Sequence, residues 1–231
     1  MPSSRASARI NGLTSNDHRR LSRALFALAA LAVCGAAWAQ TQSQVPVASA
    51  AADTTWRPSL EGKALADALR GGGYTLFFRH TVTDFAQQDQ RLDGSGPCAE
   101  QRNLTAAGRD DAQAIGKAVA KARVPVGEVL ASPFCRTRES AQLMFSRAIV
   151  TDDVRGGPKE LGANVNDKLI AILMTPPTRN TNRAILSHTN AFYTITNLPH
   201  LDDGEAAVFA VRDGKLVVVA RLKAADWAKL P

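Results

Sequence analysis

The sequence predicts an α/β protein: a three-layer α/β/α sandwich with a mainly parallel central sheet and an antiparallel hairpin at its C-terminal edge. From about residue 60 onward, short apolar runs of strand length alternate with segments of helical periodicity. Such alternation favours parallel strands with helices on both faces of the sheet. The last two apolar runs, 206–211 and 216–222, instead flank Asp213-Gly214, a dipeptide typical of a tight β-hairpin turn.

The first predicted elements are a helix and a buried strand. Residues 60–69 have the periodicity of a helix, and the glycines at 71–73 end it. The apolar run 74–79 (YTLFFR) then predicts the first strand.

A longer helix is predicted after Thr105, whose hydroxyl suits an N-cap. Its buried face is indicated by four apolar residues at helical spacing: Ala112, Ile115, Val119 and Ala122. Pro125 closes this helix. Residues 127–131 (GEVLA) predict the second strand, and residues 136–145 the next helix.

The alternation continues to the end of the parallel region. Residues 148–151 predict a short third strand, and residues 167–174 a helix that ends at Pro176-Pro177. Residues 183–187 (RAILS) predict the fourth strand. The sequence therefore predicts four strands ahead of the C-terminal hairpin.

The first 39 residues predict a secretory signal peptide. Five arginines precede an uncharged run of 16 residues, 24–39, which ends in the small-x-small triplet Ala37-Trp38-Ala39. A helix of that length spans about 24 Å, less than the ~30 Å hydrocarbon core. We therefore expect cleavage before Gln40, a periplasmic protein and no stable membrane span, with a retained anchor as the alternative. Residues 40–55 predict a flexible tether, and residues 56–231 the catalytic domain.

Removal of this segment changes the charge and cysteine arguments. It carries five of the 28 basic residues and one of the 21 acidic residues, so the remainder has a net charge of +3. No basic stretch interleaved with aromatic residues follows, which argues against a nucleic-acid partner and leaves a small anionic substrate.

Cys34 leaves with the segment, and the two remaining cysteines face an oxidising compartment. Two thiols with no neighbouring histidine do not predict a metal site.

Reactive side chains follow three of the predicted strands. Arg79 and His80 follow the first strand, Arg136 the second and His188 the fourth. Because the carboxyl ends of parallel strands form the ligand crevice of an open α/β sheet, we expect these residues to converge. Guanidinium groups match phosphate oxygens in a bidentate way, which suits Arg79 and Arg136. A neutral imidazole among cations can attack phosphorus, so His80 is the predicted nucleophile.

Together the motifs resemble those of the histidine phosphatase superfamily. They are, in order, Phe78-Arg79-His80, Leu104-Thr105-Ala106-Ala107-Gly108-Arg109, Ser132-Pro133 with Arg136 and Ser140-Ala141, and Leu186-Ser187-His188. The resemblance covers about residues 56–231. It implies that His80 is the nucleophile, that Arg79 and Arg136 bind the phosphoryl group, and that His188 completes the pocket. It also implies phosphomonoester hydrolysis without a metal or organic cofactor.

Two positions depart from the pattern of that family. Thr81 stands where a glycine usually follows the nucleophile, and Ser187 where a glycine often precedes the late histidine. We expect Thr81 and Thr83, directly after the nucleophile, to contact the substrate.

A narrower resemblance concerns the segment before the long helix. Gln101-Arg102-Asn103-Leu104, with Cys98 before it and Cys135 beside Arg136, resembles an exported subgroup related to lipopolysaccharide core heptose phosphatases. This resemblance, together with the even cysteine count of the mature chain, implies a Cys98–Cys135 disulfide. It also implies a phosphorylated envelope glycan as the substrate.

The proton donor for the leaving group is open among three acidic residues. In many members of the family a Glu follows the second arginine by some two dozen residues, which makes Glu160 the first candidate. Glu205, at the start of the fifth predicted strand, and Asp84, just after the nucleophile, are the alternatives.

Two other functions compete with hydrolysis. One is a catalytically inactive relative that binds phosphorylated glycans, for which loss of a pocket residue would be the hallmark. The other is a phosphoglycerate mutase, which shares the motifs but acts on a cytoplasmic substrate, whereas this chain carries a predicted export signal.

Overall fold

The computed structural model describes residues 55–231, which are built around a six-stranded sheet. The strands are β1 (Thr75–Arg79), β2 (Val126–Ala131), β3 (Ile149–Val150), β4 (Asn182–Ser187), β5 (Ala206–Arg212) and β6 (Lys215–Leu222). Their order in the sheet is β3-β2-β4-β1-β5-β6. The first four strands in that order run parallel, whereas β5 and β6 are antiparallel to their neighbours. The predicted sheet is thereby confirmed.

Helices cover both faces of the sheet. They are α1 (Gly62–Gly71), α2 (Ala106–Lys121), α3 (Cys135–Phe145), α4 (Asp167–Met174) and α5 (Thr189–Thr196). Alternate residues of β1 face two separate cores, because successive side chains of a strand point to opposite faces. Leu76 and Phe78 pack with α1, α2 and α3, whereas Phe77 packs with α4 and α5. This arrangement confirms the three-layer α/β/α class.

The helix α5 is absent from the sequence prediction. Its sequence, TNAFYTIT, is rich in β-branched and aromatic residues, which have low intrinsic helix propensity. Tertiary packing overrides that preference, because Ala191 and Phe192 are fully buried in the core beside α4. Asn197 then ends the helix in the left-handed conformation, with φ 55°.

Two local predictions are confirmed in detail. The Thr105 hydroxyl accepts a hydrogen bond from the Gly108 N–H at 2.9 Å and so caps α2. Asp213 and Gly214 both have positive φ, 51° and 69°, as a tight hairpin turn requires. Gly108 has a further role, because a Cβ at that position would lie 2.1 Å from the Val82 carbonyl oxygen. A side chain there would push the start of α2 away from the loop that follows β1.

The segments outside the described residues keep the status of predictions. They include the predicted signal peptide, Cys34 and the predicted tether as far as residue 54. Within residues 55–231, no helix is both long and apolar enough to cross a membrane.

A disulfide joins Cys98 to Cys135, as the sequence implied, with their Cα atoms 5.7 Å apart. Cys98 lies in a short 3₁₀ helix and Cys135 is the first residue of α3. The side chain of Gln101 adds a second connection, since its Oε1 accepts a hydrogen bond from the Cys135 N–H at 2.8 Å. The long loop between β1 and α2 is therefore fastened to the start of α3.

We predict that this disulfide forms under oxidising conditions and stabilises the protein. Closing a loop with a sequence separation of 37 residues contributes about 4 kcal/mol in the chain-entropy model. Urea unfolding of residues 40–231 with and without reductant measures the difference. The double variant Cys98→Ser, Cys135→Ser is the control and should not respond to reductant. Two thiols titrating in the oxidised, denatured protein would contradict the prediction.

Candidate active site

The register between β1 and β4 places two histidines side by side. These strands pair in parallel with Arg79 opposite Ser187, so His80 and His188 each follow at the same edge of the sheet. Their ring centroids are 5.7 Å apart. The His80 N–H also donates to the Ser187 carbonyl at 3.3 Å, which continues the ladder by one step. The convergence predicted for the carboxyl ends of the strands is present at these two residues.

His80 is buried and held in one tautomer. Its Nδ1 lies 2.9 Å from the Thr81 carbonyl oxygen. Because a carbonyl can only accept a hydrogen bond, Nδ1 carries the hydrogen and Nε2 carries the lone pair. The pKa of His80 is lowered to about 3, mainly by burial and in smaller part by the charges of the nearby arginines, Arg136, Arg79 and Arg102. The imidazole is therefore neutral at pH 7, with Nε2 available as a nucleophile.

His188 is neutral for similar reasons. Its pKa lies well below the usual value, first because of burial and then because of His80 and three arginines: Arg136, Arg102 and Arg155. The Nε2 atom is 2.8 Å from the Ser132 hydroxyl. The ring of Phe134 packs edge-on against it, with centroids 4.9 Å apart. The Ser132-Pro133 motif after β2 therefore contributes to the orientation of His188.

Arg136 lies at the second position of α3 and is almost fully buried. Its Nη1 donates to Asp89 Oδ1 at 2.9 Å and to the Arg102 carbonyl at 3.4 Å. The guanidinium lies over the Phe134 ring at 4.2 Å. These contacts fix the plane of the guanidinium at the edge of the sheet that carries both histidines.

Arg79 is the last residue of β1, and two contacts hold its guanidinium. Its Nη1 donates to the Leu201 carbonyl at 2.7 Å, and its Nη2 forms an ion pair with Asp203 Oδ1 at 2.8 Å. Each of the two arginines predicted to bind phosphate therefore contacts one carboxylate. A phosphoryl group that binds these arginines shares them with Asp89 and Asp203 or displaces those carboxylates.

The two threonines after the nucleophile have different surroundings. Thr81 is buried, and both its N–H and its hydroxyl lie 3.4 Å from the Ser140 hydroxyl on α3. Thr83 is also buried and pairs with Leu104, and its hydroxyl has no hydrogen-bond partner among the described residues. Thr81 thus anchors the loop to α3. The Thr83 hydroxyl is buried and, within residues 55–231, unpaired.

The carboxylates of the three acids considered as proton donors have other surroundings. Glu160 is exposed on a short 3₁₀ helix. Glu205 is buried, and both of its oxygens bind the Arg221 guanidinium, at 2.7 and 2.8 Å. Asp84 accepts hydrogen bonds from the Ala86 N–H and the Gln87 side chain and so caps a turn. In the described part of the chain, no hydrogen bond or ion pair joins the carboxylate of any of the three to the predicted pocket residues.

Three residues of the pocket were not assigned from the sequence: Asp89, Arg102 and Asp203. Arg102 stands within the QRNL motif, which was the available signal, and its guanidinium lies 4.6 Å above the ring of the exposed Phe85. Its backbone N–H donates to Asp89 Oδ1 at 3.0 Å. Asp89 and Asp203 lie in loops without periodicity, and only the fold shows which arginine each contacts.

No group of three or more His, Cys, Asp or Glu side chains within residues 55–231 is arranged to hold a metal ion.

Comparison with known proteins gives matches among solved structures. A protein histidine phosphatase SixA complexed with tungstate is 18% identical, with a TM-score of 0.47, and the match covers 66% of this chain and 98% of that one. A variant of phosphoserine phosphatase from Entamoeba histolytica is 13% identical, with a TM-score of 0.47, and the match covers 64% and 95%. The alpha-ribazole phosphatase from Shigella flexneri is 16% identical, with a TM-score of 0.46, and the match covers 63% and 94%. No family model and no curated protein matches the sequence.

We predict that the two neutral histidines make the fold sensitive to mild acid. Below about pH 6.5 the unfolded chain binds protons at these side chains and the folded protein does not, until the pH approaches the folded pKa, about 3 for His80. Their contribution to stability is thus complete above pH 6.5 and is lost as the pH falls. Each histidine should lower the free energy of unfolding by up to about 1.4 kcal/mol per pH unit.

Urea unfolding between pH 7 and pH 5 measures this slope. The variant His188→Gln removes one of the two groups and should show about half of the wild-type slope over the same range. A stability that is constant between pH 7 and pH 5 would mean that both histidines take up protons in the folded protein with the same pKa as in the unfolded chain.

Proposed function

We propose that this chain is a phosphomonoester hydrolase that forms a phosphohistidine intermediate on His80. The observation that carries this proposal is the state of the His80 ring: buried, neutral, protonated on Nδ1, and 5.7 Å from the ring of His188. Arg79 and Arg136 lie close enough for their charges to lower its pKa. A nucleophilic nitrogen beside two guanidinium groups suits attack on a phosphoryl group.

The first half of the reaction transfers the phosphoryl group to the enzyme. His80 Nε2 attacks phosphorus, and the bond between phosphorus and the leaving oxygen breaks. Arg79 and Arg136 neutralise the charge on the equatorial oxygens. The leaving oxygen takes a proton from an acidic group and departs as an alcohol.

The second half returns the enzyme to its starting state. Water attacks phosphorus on the opposite side, the Nε2–P bond breaks, and inorganic phosphate is released. Phosphorylated His80 is cationic, and its Nδ1–H can continue to donate to the Thr81 carbonyl, which is already 2.9 Å away. That hydrogen bond needs no rearrangement and stabilises the intermediate. No cofactor takes part in either step.

We further propose that the enzyme acts in the periplasm on a phosphorylated envelope glycan. The support is the predicted signal peptide and the resemblance of the QRNL segment to exported heptose phosphatases. The Cys98–Cys135 disulfide is consistent with an oxidising compartment, where such bonds persist.

Export predicts a defined N-terminus. Mass spectrometry of the periplasmic protein should show a chain that begins at Gln40, because signal peptidase cleaves after a small-x-small triplet. Replacement of Ala39 by a bulky residue should leave the precursor uncleaved. An intact chain beginning at Met1 in the cytoplasm would contradict this prediction.

The mechanism predicts a covalent phosphoenzyme. A rapid quench without acid should trap an acid-labile, base-stable adduct during turnover of an aryl phosphate. His80→Ala should abolish both the adduct and turnover, because it removes the attacking nitrogen. Arg136→Lys keeps the charge but loses bidentate geometry, which should lower kcat by roughly 10²- to 10³-fold. His188→Ala should slow both formation and breakdown of the adduct.

His200→Ala is the matched control for these variants. His200 is exposed, so this variant should form the adduct at the wild-type rate. A chelator should have no effect on turnover. Activity retained in His80→Ala, or a strict requirement for added metal, would disprove the mechanism. Tight binding of the phosphorylated ligand without turnover would instead favour the inactive glycan-binding relative.

A further inference from the structure

Asp203 lies in a loop that is attached to the nucleophile strand. The Arg79 N–H donates to the Glu205 carbonyl, and the Gly204 N–H donates to the His80 carbonyl, both at 3.0 Å. These two hydrogen bonds hold the two residues that follow Asp203 at the same edge of the sheet as His80. The carboxylate forms its ion pair with Arg79 there, and 23% of the side chain remains exposed. A substrate held by Arg79 can therefore reach Asp203.

The contacts of Asp203 differ from those of the other carboxylates near the pocket. Glu205 is occupied by Arg221, and Asp84 caps a turn. Asp89 Oδ1 accepts hydrogen bonds from both the Arg136 side chain and the Arg102 N–H, so it organises two other groups. The Asp203 carboxylate instead forms an ion pair with Arg79, a side chain that we expect to bind the substrate.

The balance of charge in the pocket requires one more positive charge when a substrate binds. Three arginines (Arg79, Arg102 and Arg136) face two carboxylates (Asp89 and Asp203), and both histidines are neutral because their pKa values are lowered. The site thus carries a net charge of +1, and a phosphate dianion would leave it at −1. An uncompensated charge in a partly buried site is costly, so uptake of one proton is favoured.

Asp203 is the group best placed to take that proton. When a phosphoryl group binds Arg79, Asp203 shares its cation with an anion and gains a negative neighbour, and both changes favour the protonated carboxyl. The charged neighbours of Asp203 in this loop are paired: Glu205 with Arg221 of β6, and Asp202 with Lys223. Arg155 is 3.8 Å from Asp152, so this pair does not change the balance.

We propose that Asp203 is the proton donor of the reaction, an inference that rests on the proposed function. Its carboxyl O–H gives a proton to the leaving oxygen as the P–O bond breaks and the bond between His80 Nε2 and phosphorus forms. The resulting carboxylate then takes a proton from the water whose oxygen attacks phosphorus and releases His80. Each turnover therefore returns Asp203 to its protonated state and consumes one water.

The first test compares leaving groups in the variant Asp203→Asn. An alkyl phosphate needs protonation of its leaving oxygen, whereas p-nitrophenyl phosphate does not. The variant should lower kcat for the alkyl phosphate by roughly 10²- to 10⁴-fold and for p-nitrophenyl phosphate by less than about tenfold. Asp202→Asn is the matched control, since it makes the same change one residue away at an exposed carboxylate. Its ratio of the two rates should equal that of the wild type.

The second test measures the proton directly. Calorimetric titration with inorganic phosphate at pH 8, in buffers of different ionisation enthalpy, gives the number of protons taken up on binding. The wild type and Asp202→Asn should take up about one proton more than Asp203→Asn. Equal proton uptake in all three proteins would show that Asp203 does not take up the proton.

The outcomes separate this inference from the proposed function. Equal slowing of both substrates in Asp203→Asn, with unchanged proton uptake, would overturn the assignment and leave Asp203 as a positioning residue. A dependence on the leaving group that appears in Glu160→Gln instead would make Glu160 the donor. If the wild-type protein hydrolyses neither substrate, the proposed function fails, and the calorimetry still decides whether Asp203 takes up a proton when phosphate binds.

Discussion

The parallel pairing of β1 with β4 is the constraint on which the rest of the site depends. Because Arg79 lies opposite Ser187, the two histidines that follow leave the sheet at the same level. A slip of one residue would turn the next side chain to the opposite face, and the His80 ring would then face the wrong core. The register is fixed by burial, since every residue of β4 is buried and the apolar residues of β1 alternate between two separate cores. The chemistry of the site is thus a consequence of packing on both faces of the sheet.

Burial also sets the protonation states that the chemistry uses. Both histidines are desolvated and lie near arginines, so their pKa values are lowered and their rings stay neutral. Buried guanidinium groups, in turn, need anions, and Asp89 and Asp203 provide them. A phosphate that enters the pocket competes with those carboxylates. Affinity for phosphate at this site therefore depends on how readily each carboxylate dissociates from its arginine. The exposed fraction of the side chain is larger for Asp203 (23%) than for Asp89 (14%).

Much of the fold was predictable from sequence because its signals are local. Periodicity predicted the helix at 167–174 with its bounds as observed, and the Asp213-Gly214 dipeptide predicted the hairpin turn. The helix α5 was missed because its propensity is poor and its stability comes from the burial of Phe192. The convergence of His80 with His188 followed from strand order. The carboxylate partners of the arginines could not be predicted from strand order, because Asp89 and Asp203 lie in loops whose paths are set by contacts distant in sequence.

The loop between β1 and α2 shows how a segment with little regular structure can still position reactive groups. It contributes Asp89 and Arg102 to the pocket, although little regular secondary structure within the loop holds its conformation. The Cys98–Cys135 bond and the Gln101 side chain fasten it to α3, one residue before Arg136. The N-terminus of α3 thus carries Arg136. It also carries Cys135, which anchors the loop that contains Asp89, the ion-pair partner of Arg136. Arg136 and the loop that carries Asp89 are thus both attached at the start of α3. This shared attachment keeps the Arg136–Asp89 ion pair, and with it the orientation of the guanidinium, even where the loop is exposed.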